Sequence, residues 1–294
     1  MCIRDRSLFK LRGELSSSQN WILGIVGLII FIGIWWLTAE LNANKIPVIE
    51  GFESRLDNKN LDLDSLAIAD SISLANATEF TKTYPAIPPP LATVQSYPDL
   101  IKNDNLAWNA WKSIWLNLKG YFWAIMISIP IGFLLGLLPL FRGLFSKQVD
   151  ALRFLPLTAL VGTFMTFYGV TEDKMRVAFL AFGIMVYLIP VVVQRVFEVK
   201  DVYLKTVFTL GASDWQTIKR VYIPSVMSKL MEDIRVLTAI SWTYIIIAEL
   251  LGAKEGLGRL IWMSQRQGQT EKVFAILLLF IIIGFFQDLS LIHI

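Results

Sequence analysis

Residues Asp201–Pro224, DVYLKTVFTLGASDWQTIKRVYIP, decide how this chain is to be read. Tyr203, Val207 and Leu210 recur at i, i+4 and i+7, which predicts a short amphipathic helix with an acid, Asp201, near its start. Gly211 follows, and glycine takes the left-handed conformation that ends a helix. Ser213 with Gln216 three residues later is a capping-box pattern opening a second helix. On that helix Trp215, Ile218 and Tyr222 share one face, and Lys219 and Arg220 lie off it. Pro224 is read as its end. The expectation is two short helices joined by a turn and lying across a surface. Periodicity and caps leave three uses open: resting on lipid headgroups, packing on the chain's own helices, or inserting into a groove on a soluble partner.

The flanks say what kind of surface this is. The chain has 294 residues, 55% hydrophobic and 17% charged, with a mean hydropathy of +0.56, too apolar for a soluble domain of this length. A bilayer core needs roughly 20 apolar residues of helix. Six runs come near that length: Trp21–Ala39, Gly120–Leu140, Leu152–Tyr168, Val177–Val196, Ile234–Leu251 and Val273–Phe286. Pro156, Thr158, Gly162, Thr163 and Thr166 interrupt the third, which therefore reads as a broken or interior-facing helix. The first run follows Lys10 and Arg12 as a signal peptide would. Its length, Trp35 and Trp36 near its far end and the lack of a small-residue cleavage site favour an uncleaved helix instead.

Lys and Arg in the short loops give the orientation. With the amino terminus inside, eleven fall on the inner side and six on the outer, which places both termini in the cytoplasm. The net charge of +3 reflects this bias and not nucleic-acid binding. The long stretch Glu40–Ile114 then lies outside. It carries ten Asp and Glu against six Lys and Arg, and Pro85 with Pro88, Pro89 and Pro90 forms a stiff extended segment that ends its polar part. It reads as a solvated spacer or as a contact surface for an external partner.

The organisation expected is an all-α integral membrane protein of about six transmembrane helices. Residues 1–19 are a cytoplasmic amino terminus, 20–40 the first helix, 41–86 an extracytoplasmic insertion, and 87–288 the main transmembrane domain with its loop at 197–231. Residues 1–6 (MCIRDR) and 289–294 (LSLIHI) look foreign to the rest and are left out of the fold reasoning, with the chain read as truncated at its carboxyl end. Cys2 and His293, the single Cys and single His, lie in those ends, so an internal disulfide and a Cys cluster for a metal are excluded.

Nine residues separate Gly211 from Val221, Tyr222, Ile223 and Pro224, and Gly211, Ala212, Ser213, Asp214, Trp215 and Gln216 run up to them. This pattern resembles the cytoplasmic loop of permease subunits of binding-protein-dependent ABC importers, in which a Gly is followed by nine residues and then an aliphatic, any residue, an aliphatic and Pro. One departure is clear: where that loop usually has Glu-Ala-Ala, this chain has Lys205, Thr206 and Val207. Ile87–Leu91 with Val94, Arg153–Leu157, Phe167–Gly169, Ala248–Leu250 and Gly256–Gly258 are similar to segments of the nitrate, sulfonate, taurine and bicarbonate branch. The resemblance covers roughly 87–286.

The resemblance implies a type I importer permease of the bacterial inner membrane that moves a small solute by alternating access, with an anion such as nitrate, a sulfonate, taurine or bicarbonate as cargo. It implies as partners cytoplasmic ATPase subunits, a periplasmic solute-binding protein, and a second permease copy or a related chain. It also makes the loop a coupling element, carried by Tyr203, Val207, Leu210, Gly211, Ala212, Ser213, Trp215, Val221, Ile223 and Pro224. For Trp215, burial against its own bundle stays open.

The residues agree with that division of labour. No Gly-x-x-x-x-Gly-Lys-Ser/Thr phosphate loop occurs, so ATP and Mg are expected on a partner and no cofactor on this chain. No Ser-His-Asp set or paired catalytic carboxylate occurs either, and the chain is not expected to be an enzyme. Glu249, an acid deep in an apolar run, is read either as snorkelling or structurally bonded, or as a solute contact. Thr158, Thr163, Thr166 and Tyr168 either line a polar pathway or bond between helices. The rival readings are an ABC permease for another solute (a thiamine-precursor pyrimidine, an amino acid or an osmolyte), an ion-coupled secondary transporter and a membrane-anchored receptor. The second would need midplane acids that the second to fifth runs lack. The third would not need the Gly211–Pro224 pattern.

Overall fold

The structure, a computed structural model, describes residues 15–47, 80–170, 173–250 and 253–292. The two ends with Cys2 and His293, and most of the 41–86 insertion, lie outside the described residues. The chain divides into two units, Met1–Ser96 and Tyr97–Ile294.

In the first unit α1 (Ser17–Leu41) opens on a full capping box between Ser16 and Gln19. Its apolar residues are exposed almost all round, from Trp21 to Leu41, and only Ala39 is buried. A helix that is apolar on every face suits lipid and not a soluble core. Beyond it β1 (Asn44–Pro47) pairs antiparallel with β2 (Phe80–Thr83), in the register Asn44 to Thr83. Glu40 accepts from Lys82 at 2.6 Å and from Tyr84 at 3.1 Å, and Trp35 donates to the Pro88 carbonyl at 2.9 Å. The proline segment is extended only as far as Pro89. Pro90 begins α2 (Pro90–Gln95), because a missing N–H costs nothing in a first helical turn.

The second unit holds α3 (Tyr97–Lys102), α4 (Leu106–Leu137), α5 (Pro139–Leu152), a 3-10 turn (Leu157–Leu160) leading into α6 (Val161–Tyr168), and α7 (Asp173–Phe197). Next come α8 (Asp201–Thr209), α9 (Asp214–Thr217), a π-helical turn (Ile218–Tyr222), α10 (Ile223–Leu250), α11 (Leu257–Arg266) and α12 (Thr270–Ile292). The last of these carries the helix through most of 289–294.

Side-chain pairs fix the directions of the long helices. Gly120 meets Leu180, Gly132 meets Val192 and Gly136 meets Val196, a constant offset, so α4 and α7 run parallel. A Cβ at Gly136 would stand 2.9 Å from Val196, and glycine is what permits this approach. Ser113 meets Glu249, Asn117 meets Ser241 and Tyr121 meets Ile234, so α10 runs antiparallel to α4. Arg235 pairs with Asp288 and Trp242 with Gln287, which makes α12 antiparallel to α10. Because α4 and α7 are parallel, the chain between them must return across the bundle. It does so through α5 and the segment 157–168, bent by 95° beside Pro156, the break expected of the third run.

By length and composition α1, α4, α7 and α12 qualify among the described residues as membrane spans, and the bent pair makes a fifth. The run at Ile234–Leu251, expected to be another, lies in α10, whose every eighteen-residue window holds at least three charges. Three of those charges have partners on other helices. Asp233 takes Arg195, Arg235 takes Asp288, and Glu249 takes Ser113. With Asp233 and Arg235 in ion pairs and Glu249 hydrogen-bonded inside the bundle, a helix of about 42 Å can cross with its apolar middle toward lipid. The core is built from α4, α7, α10, α11 and α12 around Leu180, Leu188, Leu230, Ile245, Leu257 and Ile276.

Candidate functional site

The loop between α7 and α10 has the local chemistry its sequence predicts. α8 ends in a Schellman motif: Gly211 has φ +73°, the Ala212 N–H donates to the Val207 carbonyl and the Gly211 N–H to the Phe208 carbonyl, both at 3.0 Å. Ser213 then caps α9, accepting from the Gln216 N–H, and the Gln216 side chain accepts from the Ser213 N–H at 2.9 Å. Pro224 does not end the second helix. The helix passes through the π turn at Ile218–Tyr222 directly into α10, with Pro224 in its first turn. A π turn shifts the bonding register by one residue, which accommodates the N–H that proline lacks. The loop is therefore one short free helix, a turn, and the leading end of a long helix.

Its apolar side chains face outward. Leu210 is 79% exposed, Trp215 68% and Tyr203 50%, with Val202 and Phe208 beside them. Trp215 thus lies free of its own bundle. Val207 and Ala212 are partly covered, Gly211, Ser213, Ile223 and Pro224 are exposed, and Val221 is buried under the π turn. An ion-pair network holds the base of the loop. Arg195 donates to both Asp233 oxygens at 2.6 and 2.7 Å and to Glu198 at 2.6 Å, and Lys229 reaches Glu198 at 3.0 Å. The Arg195 guanidinium, then Lys229, hold the Glu198 carboxyl down at about 2. Nothing local marks Arg195 or Asp233 as partners, since 38 residues separate them.

At the other end of α10, Glu249 is only 2% exposed and fully engaged. The Ser113 hydroxyl donates to its carboxylate at 2.7 Å and the Gly258 N–H at 2.8 Å. Ser113 in turn accepts from the Leu257 N–H at 2.9 Å, and Asn109 accepts from the Gly256 N–H at 2.7 Å. Gly256 has φ +122°, and a Cβ there would overlap the Glu249 carboxyl. The structure thus gives Glu249 a structural bond and no snorkelling path. Asn109, Ser113 and Asn117, spaced by four on one face of α4, were the available signal for this stripe.

Beside this clamp is a cleft of about 660 Å³ lined by Lys112, Trp115 and Lys119 of α4, Asp173 and Arg176 of α7, Glu249, Lys254 and Glu255. An adjoining groove of about 710 Å³ shares Lys119 and Asp173 and is otherwise mainly apolar, with Trp123, Phe164, Tyr168 and Phe182 among its walls. Of the expected pathway residues Thr158, Thr163, Thr166 and Tyr168, Tyr168 alone lines it. Thr158, Thr163 and Thr166 are exposed on the outer side of their segment, and Thr166 bonds back to the Gly162 carbonyl at 3.0 Å. They are not brought together with Glu249. Among the described residues no group of three or more His, Cys, Asp or Glu could hold a metal.

Comparison with known proteins agrees with this architecture. The chain is 27% identical over 205 residues to a probable ABC transporter permease protein of Brucella melitensis, covering 69% of this chain and 82% of that one. It is 25% identical over 170 residues to the taurine transport system permease protein TauC of Escherichia coli K12, covering 58% and 62%. Among solved structures it is similar in fold to a chain of the MetNI methionine ABC transporter in an inward-facing conformation. The TM-score there is 0.57 at 19% identity, with 64% of this chain and 93% of that chain covered. Residues 128–293 match the family described as binding-protein-dependent transport system inner membrane component. With more than half of its length inside that match, the chain belongs to this family of ABC importer permeases and is a membrane-spanning transport subunit, not an enzyme.

Proposed function

We propose that this chain is the permease of an ATP-driven importer for a small anion, and that the loop at 197–231 is where its ATPase docks. The observation that carries the docking is the cluster Tyr203, Phe208, Leu210 and Trp215, exposed on a segment whose backbone is fixed by a Schellman motif, a capping box and the Arg195 network. Apolar side chains held rigidly in water are costly for a free surface and suit a groove on a partner. On this reading ATP and Mg stay on the ATPase and no cofactor binds this chain. A solute-binding protein delivers to the opposite face, and a second permease copy or a related chain completes the pathway. The loop then lies in the cytoplasm with both termini, and the cleft beside Glu249 opens outward. An oxyanion head on the solute is supported by the likeness to the taurine permease, since taurine carries a sulfonate.

Trp215→Asp tests the docking. The side chain is exposed, so the protein should insert in the membrane and unfold as the parent does, yet lose co-purification with a co-expressed partner ATPase. Retained co-purification and transport in that variant would remove the docking role.

A further inference from the structure

The cleft and the groove at the Glu249 end are unused by anything above. Four cations face the cleft, and two are already engaged: Lys112 pairs with Glu255 at 3.1 Å, and Arg176 pairs with Asp173. Among the described residues Lys119 and Lys254 make no ion pair. Glu249 lines the wall but is 2% exposed, with its oxygens turned to Ser113 and Gly258, so it offers little repulsion to an incoming anion. Arg176 is only 6% exposed, and a charge screened so little by water acts more strongly on a ligand beside it. Lys119 stands 5.3 Å from the Trp115 ring and lines both cavities. From it the groove runs along Trp123, Phe182 and the stacked pair Phe164 and Tyr168, 6.3 Å between centroids.

A chamber with four cations on its walls, joined at Lys119 and Asp173 to a mainly aromatic and aliphatic one, has the form of a site for a molecule with a charged head and an apolar body. An inorganic oxyanion would use the first chamber alone. An organic cation would meet Lys119 and Lys254 on entry.

We propose that the two cavities form a resting site for solute within this chain, taking a small organic oxyanion whose head lies among Lys119, Lys254 and Arg176 and whose apolar body lies in the groove. The proposal rests on the permease reading and narrows its cargo. The assignment is tested on the full chain in lipid nanodiscs, titrated with 1-butanesulfonate, sodium sulfate and n-butylammonium while tryptophan emission is followed. Butanesulfonate should bind saturably, sulfate about tenfold more weakly for want of buried alkyl surface, and butylammonium without saturation. Lys119→Gln and Lys254→Gln, both at exposed positions, should each weaken butanesulfonate about five- to tenfold, and Lys147→Gln on α5 should not.

Sulfate binding as tightly as butanesulfonate would overturn the groove. Butylammonium binding as well as butanesulfonate, no saturable binding, or unchanged affinity in both lysine variants would overturn the site. Co-purification of the parent chain with its ATPase, measured in the same preparation, separates the two readings. If it holds while butanesulfonate fails to bind, only the site is lost. If it fails while butanesulfonate binds, the docking reading is lost and the site stands.

Discussion

The two ends of α10 are built on opposite principles. At Glu249 the carboxylate is buried and bonded, and the side chain reaches Ser113 on α4 and the Gly258 N–H on α11. At the π turn the reverse holds, with Trp215 and Leu210 bare and the backbone fixed by caps and ion pairs. One end is secured by contacts that water cannot reach; the other keeps its shape while leaving its apolar surface unused. On the docking reading proposed above, a helix pinned at one end and presented at the other would carry displacement from a partner into the bundle as a rigid piece.

The comparison is broken most severely at the buried end. Glu249→Ala leaves the Ser113 hydroxyl and the Gly258 N–H buried without their acceptor, and should cost about 3 kcal/mol, read as lowered thermal stability in micelles. A loss below about 0.5 kcal/mol, the scale of an ordinary surface change, would mean the clamp does not hold that end. Asp233→Ala, at the half-buried base of the loop, should cost about 1–2 kcal/mol, with faster amide exchange concentrated between Glu198 and Lys229. Gly211→Ala meets no atom within 4 Å, so its cost is backbone strain alone, about 1 kcal/mol. Trp215→Ala should change stability by less than about 0.5 kcal/mol while reducing ATPase co-purification, and that split between the two readouts is what distinguishes the presented end.

Acid sharpens the same contrast at the loop base. Glu198 is held at about 2, below the ordinary value of 4.5, so its ion pairs contribute fully above about 4.5 and are lost as pH falls through about 2. Amide exchange in the loop, corrected for the intrinsic rate, should rise across that window in the parent and stay level in Glu198→Gln. An identical rise in both would assign the loop's order to its caps alone.

What was legible in the sequence follows the same division. Gly211, Ser213 and Gln216 act on neighbours a few residues away, so spacing alone announced the Schellman motif and the capping box, and Pro156 announced the break in the third run. Glu249 and Ser113 are 136 residues apart, and Glu249 gave no sign of its partner. Pro224 was read as a stop because proline removes a helical bond, but the π turn before it absorbs that loss. The run Ile234–Leu251 was legible as a helix of the bundle, but Arg195 and Asp288, the distant partners of the charges at its start, were not.

The π turn also sets an angle. One extra residue in a helical turn rotates everything beyond it by about 100° relative to an unbroken α-helix. The Trp215 face and the Ile245 face therefore belong to one rod, wound out of phase by the five residues Ile218–Tyr222. Removing any one of the five would restore an ordinary α-helix with the Trp215 and Ile245 faces in nearly their present relation, whereas rewinding the turn at full length would swing Trp215 about a quarter of the way round the helix axis.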